Sequence, residues 1–208
     1  MGERAPTDPL AHEYLLPDND RGGAHLWWIA LDYGYRLKEK GEAGPLTGDQ
    51  LRWFDILLRA VDWQAEHQPT SLRLKTLRVI LRDILATSLN DSRADPLRRR
   101  EVPRWGQAVQ DLLAQAPHRS DVAIPYLSLL LQTGNGPVAV RFANTMLLRN
   151  PDDPVALWFS GLSMLSRPPW TLFGKARLMH SIDAGVERVM PIDGDLRTML
   201  EAERDKAL

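Results

Sequence analysis

The chain has 208 residues, 44% of them apolar, and no cysteine; a core of ordinary size can form, while disulfides, thiolate metal sites and a cysteine nucleophile are excluded. Its 26 basic and 27 acidic side chains leave a formal charge of -1, which excludes whole-molecule steering toward nucleic acid or an anionic membrane. No apolar run approaches the roughly 20 residues that cross a bilayer, and Met1 to Arg21 is polar and proline-punctuated, so no membrane insertion and a cytoplasmic location are expected.

Pro6, Pro9, Pro17 and the run Asp18-Asn19-Asp20-Arg21-Gly22-Gly23 mark residues 1–23 as an irregular tail. An N-terminal helical region, 24–90, follows. From His25 to Lys40, Leu26, Ile29, Ala30, Tyr33 and Leu37 form one helical stripe, and Trp28, Leu31 and Tyr35 a second, as expected of a helix packed between neighbours; of the adjacent Trp27 and Trp28, one ring must face the less buried side. Thr47-Gly48-Asp49-Gln50 has the form of a capping box and predicts the second helix. Along it Phe54, Leu57, Leu58 and Val61 face inward, and Arg52, Asp55, Arg59 and Asp62 form a charged stripe that reads as solvated. Thr70 or Ser71 can cap a third helix running to about Leu89, with Leu74, Leu77, Leu81 and Ile84 in its core stripe.

Asn90 to Pro103 is polar and breaks the periodicity, so 91–102 reads as a basic linker and 103–208 as a second helical region. Val109, Leu112 and Leu113 supply the stripe of a helix opening near Pro103 and closing before Pro117. Ser120 or Asp121 can cap a helix that closes at Thr133-Gly134-Asn135-Gly136, and Pro137 opens its partner. A second pair is expected from Pro154 to Ser166 and from about Trp170 to Ala184, with Gly185 as a left-handed stop and Pro191 beginning the last helix.

Ser120 to Asp153 spans 34 residues. Counting from Ser120, Gly134, Ala139 and Pro151 fall at positions 15, 20 and 32, and Gly161 falls at position 8 of the next unit, flanked by Leu157 and Met164. This pattern resembles the tetratricopeptide repeat, in which small residues at 8 and 20 let two antiparallel helices cross closely. It departs from the family at Leu127, which stands where a small residue is usual, and at Pro168-Pro169, which lengthen a turn so that Ala176 aligns only after extra residues. The resemblance implies an all-α architecture: an N-terminal helical bundle packed on a short solenoid of antiparallel hairpins.

In that register the groove-facing residues are Ile124, Ser128, Leu131, Gln132, Val155, Trp158, Leu162 and Leu165. Ile124, Leu131, Trp158, Leu162 and Leu165 are thereby expected to bind a partner polypeptide, with Trp158 as anchor. The competing occupant of that groove is the chain's own N-terminal region. A second candidate is a basic patch of Arg78, Arg82, Arg98, Arg99 and Arg100, which offers guanidiniums to phosphates or an acidic protein. Interleaved Asp83, Asp91, Asp95 and Glu101 weigh against nucleic acid.

The five histidines have no metal-ligand spacing, and neither a glycine-rich phosphate cradle nor a nucleophile motif is present, so no cofactor, metal or catalytic residue is expected. The alternative, a small regulatory or processing enzyme with a site between the two helical halves, would have to bring His118, His180 and Asp183 into one pocket. The expectation is a non-catalytic interaction or adaptor protein.

Overall fold

A computed structural model of the protein describes residues 21–88, 92–165 and 169–207. Most of the expected tail, 1–23, and the expected end of the third helix at Leu89 lie outside them. The described residues form nine α-helices and no strand: α1 (Arg21–Ala43), α2 (Gly48–His67), α3 (Leu72–Asp83), α4 (Asp95–Gln115), α5 (Ile124–Gln132), α6 (Gly136–Leu147), α7 (Pro154–Leu165), α8 (Thr171–Asp183) and α9 (Gly194–Ala207). None is long and apolar enough to cross a membrane. The chain divides into two compact units, the first ending at Gln115 and the second beginning at Ala116.

In the first unit α1, α2 and α4 pack around α3. Trp27, Ala30, Leu31 and Leu37 of α1 meet Phe54, Leu58 and Val61 of α2 and Leu77, Ile80, Leu81 and Ile84 of α3 and the turn after it in one core. Of the tryptophan pair, Trp27 is inside and Trp28 outside. Ile29, expected inward, is exposed, because Gly34 sets which face of α1 meets α3: a Cβ there would lie 3.0 Å from Leu81 Cδ2 and 3.2 Å from Ile84 Cδ1. The capping box forms as read, with Gln50 N–H donating to Thr47 Oγ1 at 3.2 Å and Thr47 N–H to Gln50 Oε1 at 2.8 Å. Ser71 caps α3 through the Leu74 amide, and a π-helical turn, Ile84–Ser88, succeeds it.

The segment read as a basic linker is different. Its chain is helical from Asp95 and stays so through Pro103, which sits in the interior of α4 rather than at its first turn. Asp95 lies in the first turn, where the helix dipole favours an acid and a following proline is tolerated, and Glu101 and Trp105 are buried anchors on the inner face.

In the second unit, α5 and α6 form a hairpin closed by Gly134 at φ +75°, with Asn135 N–H donating to Leu130 O at 2.7 Å. The entry to α5 is a 3-10 turn, Ser120–Ala123, in place of a side-chain cap. Tyr126 and Phe142 meet edge to face at 5.0 Å. Helix α7 packs against both α6 and α8, and at its crossing with α8 two glycines touch. A Cβ on Gly161 would lie 2.8 Å from Leu178 Cγ and 2.9 Å from the Gly174 carbonyl oxygen. The close approach expected at Gly161 is therefore present, but its counterpart is Gly174; Ala176 is exposed. Gly185 stops α8 at φ +87°. Pro191 does not open the last helix: Asp193 Oδ1 accepts the Asp195 and Leu196 amides at 2.9 Å each and caps α9.

Asp153 caps α7 through the Ala156 N–H at 2.9 Å and is itself buried. Burial raises its carboxyl above the usual aspartate value, and bonds from the Ala156 amide, the Ser120 side chain and the Val155 amide offset this only in part. With the folded value above the unfolded one, the native state holds the proton more tightly. The ionised carboxylate thus costs stability above the folded value, and the cost vanishes as the pH falls below the unfolded one. Asp153→Asn keeps the acceptor without the charge. It is expected to match or exceed the parent's stability at about pH 7, with the difference narrowing toward about pH 4 in urea unfolding, whereas Asp153→Ala loses about 1 kcal/mol through the missing cap.

Candidate docking surface

Trp158, the expected anchor, is 3% exposed. Eight of the twelve residues of α7 are buried because the helix has neighbours on both sides, so the ring is not presented to a partner. Ile124, Leu131, Leu162 and Leu165 are half-buried.

Leu148, Val189 and Met199 of this unit are exposed one by one, and a cluster of exposed apolar residues lies one helix after Trp158. Trp170, Leu172 and Phe173, at and just before the first turn of α8, are 52%, 75% and 61% exposed. A groove of about 280 Å³ is lined by Met164, Trp170, Phe173, Ala176, Arg177 and His180. Its position follows from the Gly161–Gly174 contact, which brings α8 close enough to α7 for Met164 to serve as a wall. Trp170 and Phe173 lie 5.8 Å apart between centroids, inclined at 49°, and the small Ala176 leaves room beside them. Thr171 Oγ1 donates to Leu165 O at 3.2 Å and ties the start of α8 to the end of α7.

One edge of the groove is polar and held in place. Arg177 Nη1 donates to Asn144 Oδ1 at 3.1 Å, and His180 Nε2 lies 3.2 Å from Asp152 Oδ1. An apolar floor beside a guanidinium and an imidazole can bury aromatic or aliphatic side chains and orient a carboxylate. Of the residues named for an enzyme, His180 faces Asp152, Asp183 lies 3.7 Å from Arg204 Nη1, and His118 is exposed.

The basic patch is not a free cationic surface. Arg82 and Glu101 are each 1% exposed and form an ion pair of 2.8 Å between Nη2 and Oε2. Arg82 Nη2 also donates to Asp62 Oδ2 at 2.6 Å. Arg78 donates to Asp62 Oδ1 at 2.9 Å and Asp111 Oδ2 at 3.2 Å. Glu101 Oε1 accepts from Arg100 Nε at 2.7 Å and Arg104 Nη1 at 3.2 Å. Arg100 also binds Asp55, a bond that raises its guanidinium above the usual arginine value against the opposing effect of burial, and Asp55 accepts from Arg59 at 2.8 Å. Five guanidiniums (Arg59, Arg78, Arg82, Arg100, Arg104) thus meet four carboxylates (Asp55, Asp62, Glu101, Asp111). Near neutrality is the consequence.

Asp55, Arg59 and Asp62 of the α2 stripe that read as solvated therefore belong to a clamp across α2, α3 and α4, while Arg52 is exposed. Arg98 pairs with Asp95 at 3.1 Å, and of the expected patch Arg99 alone is an exposed cation with no carboxylate partner among the described residues. Beside the clamp a groove of about 400 Å³ is lined by Arg59, Asp62, Trp63, Glu66, Arg78, Arg104 and Gln107, with Asp62 committed to two arginines. Its mixed charge favours neither an anion nor a cation.

No family model, curated protein or solved structure matches this chain.

Proposed function

We propose that the chain is a non-catalytic interaction protein that docks a partner polypeptide, and that the groove at the start of α8 is its docking surface. The observation that carries this reading is the cluster of Trp170, Leu172 and Phe173 on the surface, beside a groove rather than under a neighbouring helix. Isolated exposed apolar residues are ordinary; a contiguous aromatic patch with a polar edge marks a contact site. Each large side chain buried there supplies about 1.5 to 3 kcal/mol before ordering costs, so two or three anchors suffice for a specific complex. The matching partner segment is apolar, helical or extended, with an acidic residue placed to meet Arg177 and His180.

The tetratricopeptide-like stacking of α5–α6 and α7–α8 belongs to the same reading and is supported by the Gly161–Gly174 crossing. Pairing of Arg78, Arg82 and Arg100 with carboxylates counts against the nucleic-acid alternative.

The test compares proteins retained from a native lysate by immobilised wild-type chain and by Phe173→Asp, whose side chain is exposed enough for the fold to persist. A defined set retained by the first and reduced at least tenfold on the second is expected, since a buried aspartate opposite an apolar partner removes the contact. Identical sets on both columns would remove this groove from consideration.

A further inference from the structure

Helix α2 carries a second apolar stripe on the side opposite its core face. Asp49, Trp53, Ile56, Ala60, Trp63 and His67 follow one another at spacings of 4, 3, 4, 3 and 4, the seam of a two-stranded coiled coil. Trp53 and Trp63 are 59% and 58% exposed, Ile56, Asp49 and His67 are exposed as well, and Ala60 is half-buried. The buried residues Leu51, Phe54, Leu58, Val61 and Ala65 occupy the other face. The core does not require the outer stripe.

The stripe is a palindrome. Laid against an antiparallel copy of itself, Trp53 meets Trp63, large Ile56 meets small Ala60, and acidic Asp49 meets His67, whose Nδ1 is 2.7 Å from Trp63 O and whose ring lies on Trp63 at 4.0 Å. On one flank Arg52 meets Glu66, and on the other Gln50 meets Gln64 and Leu57 meets its own copy. Arg59 approaches its own copy near the axis, and Asp55, 2.8 Å from it and shared with Arg100, offsets part of that charge. A parallel pairing would instead set Asp49 against Asp49 and Trp53 against Trp53. Charge and size are both complementary in one orientation only.

We infer that this face binds a second copy of the chain, through antiparallel pairing of the two α2 helices about a twofold axis between Ile56 and Ala60. The two half-exposed indoles leave roughly 100 to 150 Å² each, and with Ile56 and the flanks the pair buries on the order of 800 to 1,000 Å² over both protomers. This lies below the range of permanent dimers, so the association is reversible and depends on concentration. It uses a surface separate from the α8 groove and does not rest on the docking reading.

Sedimentation velocity on the full chain from about 10 μM to about 1 mM is expected to show the weight-average coefficient rising from monomer toward dimer. Trp53→Glu puts a charge against an indole and is expected to weaken dimerisation at least tenfold with unchanged helical circular dichroism, while Phe173→Asp leaves it intact. Because the chain has no cysteine, chains carrying Asp49→Cys mixed with chains carrying His67→Cys report the orientation: a short bis-maleimide is expected to join 49 to 67 and not 49 to 49. A monomer throughout the range, a dimer indifferent to Trp53→Glu, or preferential 49-to-49 linkage would each overturn the inference.

Discussion

Glu101→Ala is expected to cost the first unit about 3 to 5 kcal/mol, the price of leaving Arg82 buried at 1% exposure without one of its two carboxylates. The same substitution strips Arg100 and Arg104 of a shared acceptor, but those side chains reach solvent and lose little. Folding free energies of whole domains are about 5 to 15 kcal/mol, so a loss of this size consumes a large fraction of the total. The ion pair itself is a different matter. Replacing both partners, as Arg82→Met with Glu101→Leu, removes two desolvated charges together and leaves Asp62 with Arg78, so most of the loss is expected to return. Urea unfolding of the parent, the single variant and the pair gives the three midpoints. A loss below about 1 kcal/mol for Glu101→Ala would show that the pair is solvated in solution.

Gly161→Ala is expected to destabilise the second unit by about 1 to 3 kcal/mol although it adds a single methyl group. The added carbon would meet Leu178 Cγ at 2.8 Å and the Gly174 carbonyl at 2.9 Å, and a backbone oxygen in the middle of a helix cannot rotate away. The helices must therefore separate along their crossing, which also loosens the wall that Met164 gives the groove. Gly48→Ala is the control: nothing lies within 4 Å of its Cβ, and the first helical position gains about 0.4 to 1 kcal/mol from reduced freedom of the unfolded chain. Opposite shifts of the unfolding midpoint for the two substitutions are expected. Equal shifts would mean that α7 and α8 do not touch at the glycines.

The punctuation of this fold is legible in the sequence because it is local. Thr47 and Gln50 need only three residues to form their box, and Gly185 needs only its own lack of a Cβ to stop α8. Gly161 was recognisable from its repeat position, whereas its partner was not, because Pro168 and Pro169 obscure how many residues the turn takes up.

What the sequence hides is pairing between distant segments. The polar run around Arg98 to Glu101 looks like a connection until Glu101 is placed opposite Arg82, nineteen residues earlier and on another helix. Helix α3 did carry a warning: Leu74, Val79, Ile80 and Leu81 spread its apolar residues around the axis, and a cation on a helix buried on most sides has to be paired. Trp158 shows the converse. The repeat register gave it an outward face, but α7 has helices on both sides, and burial of an aromatic ring there outweighs the register.

The most direct test of apolar docking is calorimetric titration of the partner retained by wild-type chain, at two temperatures and two salt concentrations. Burial of Trp170 and Phe173 predicts a clearly negative heat-capacity change and an affinity nearly constant between about 50 and 200 mM salt. A heat-capacity change near zero, with affinity falling by roughly a thousandfold over that salt range as for a binder of many phosphates, would contradict it.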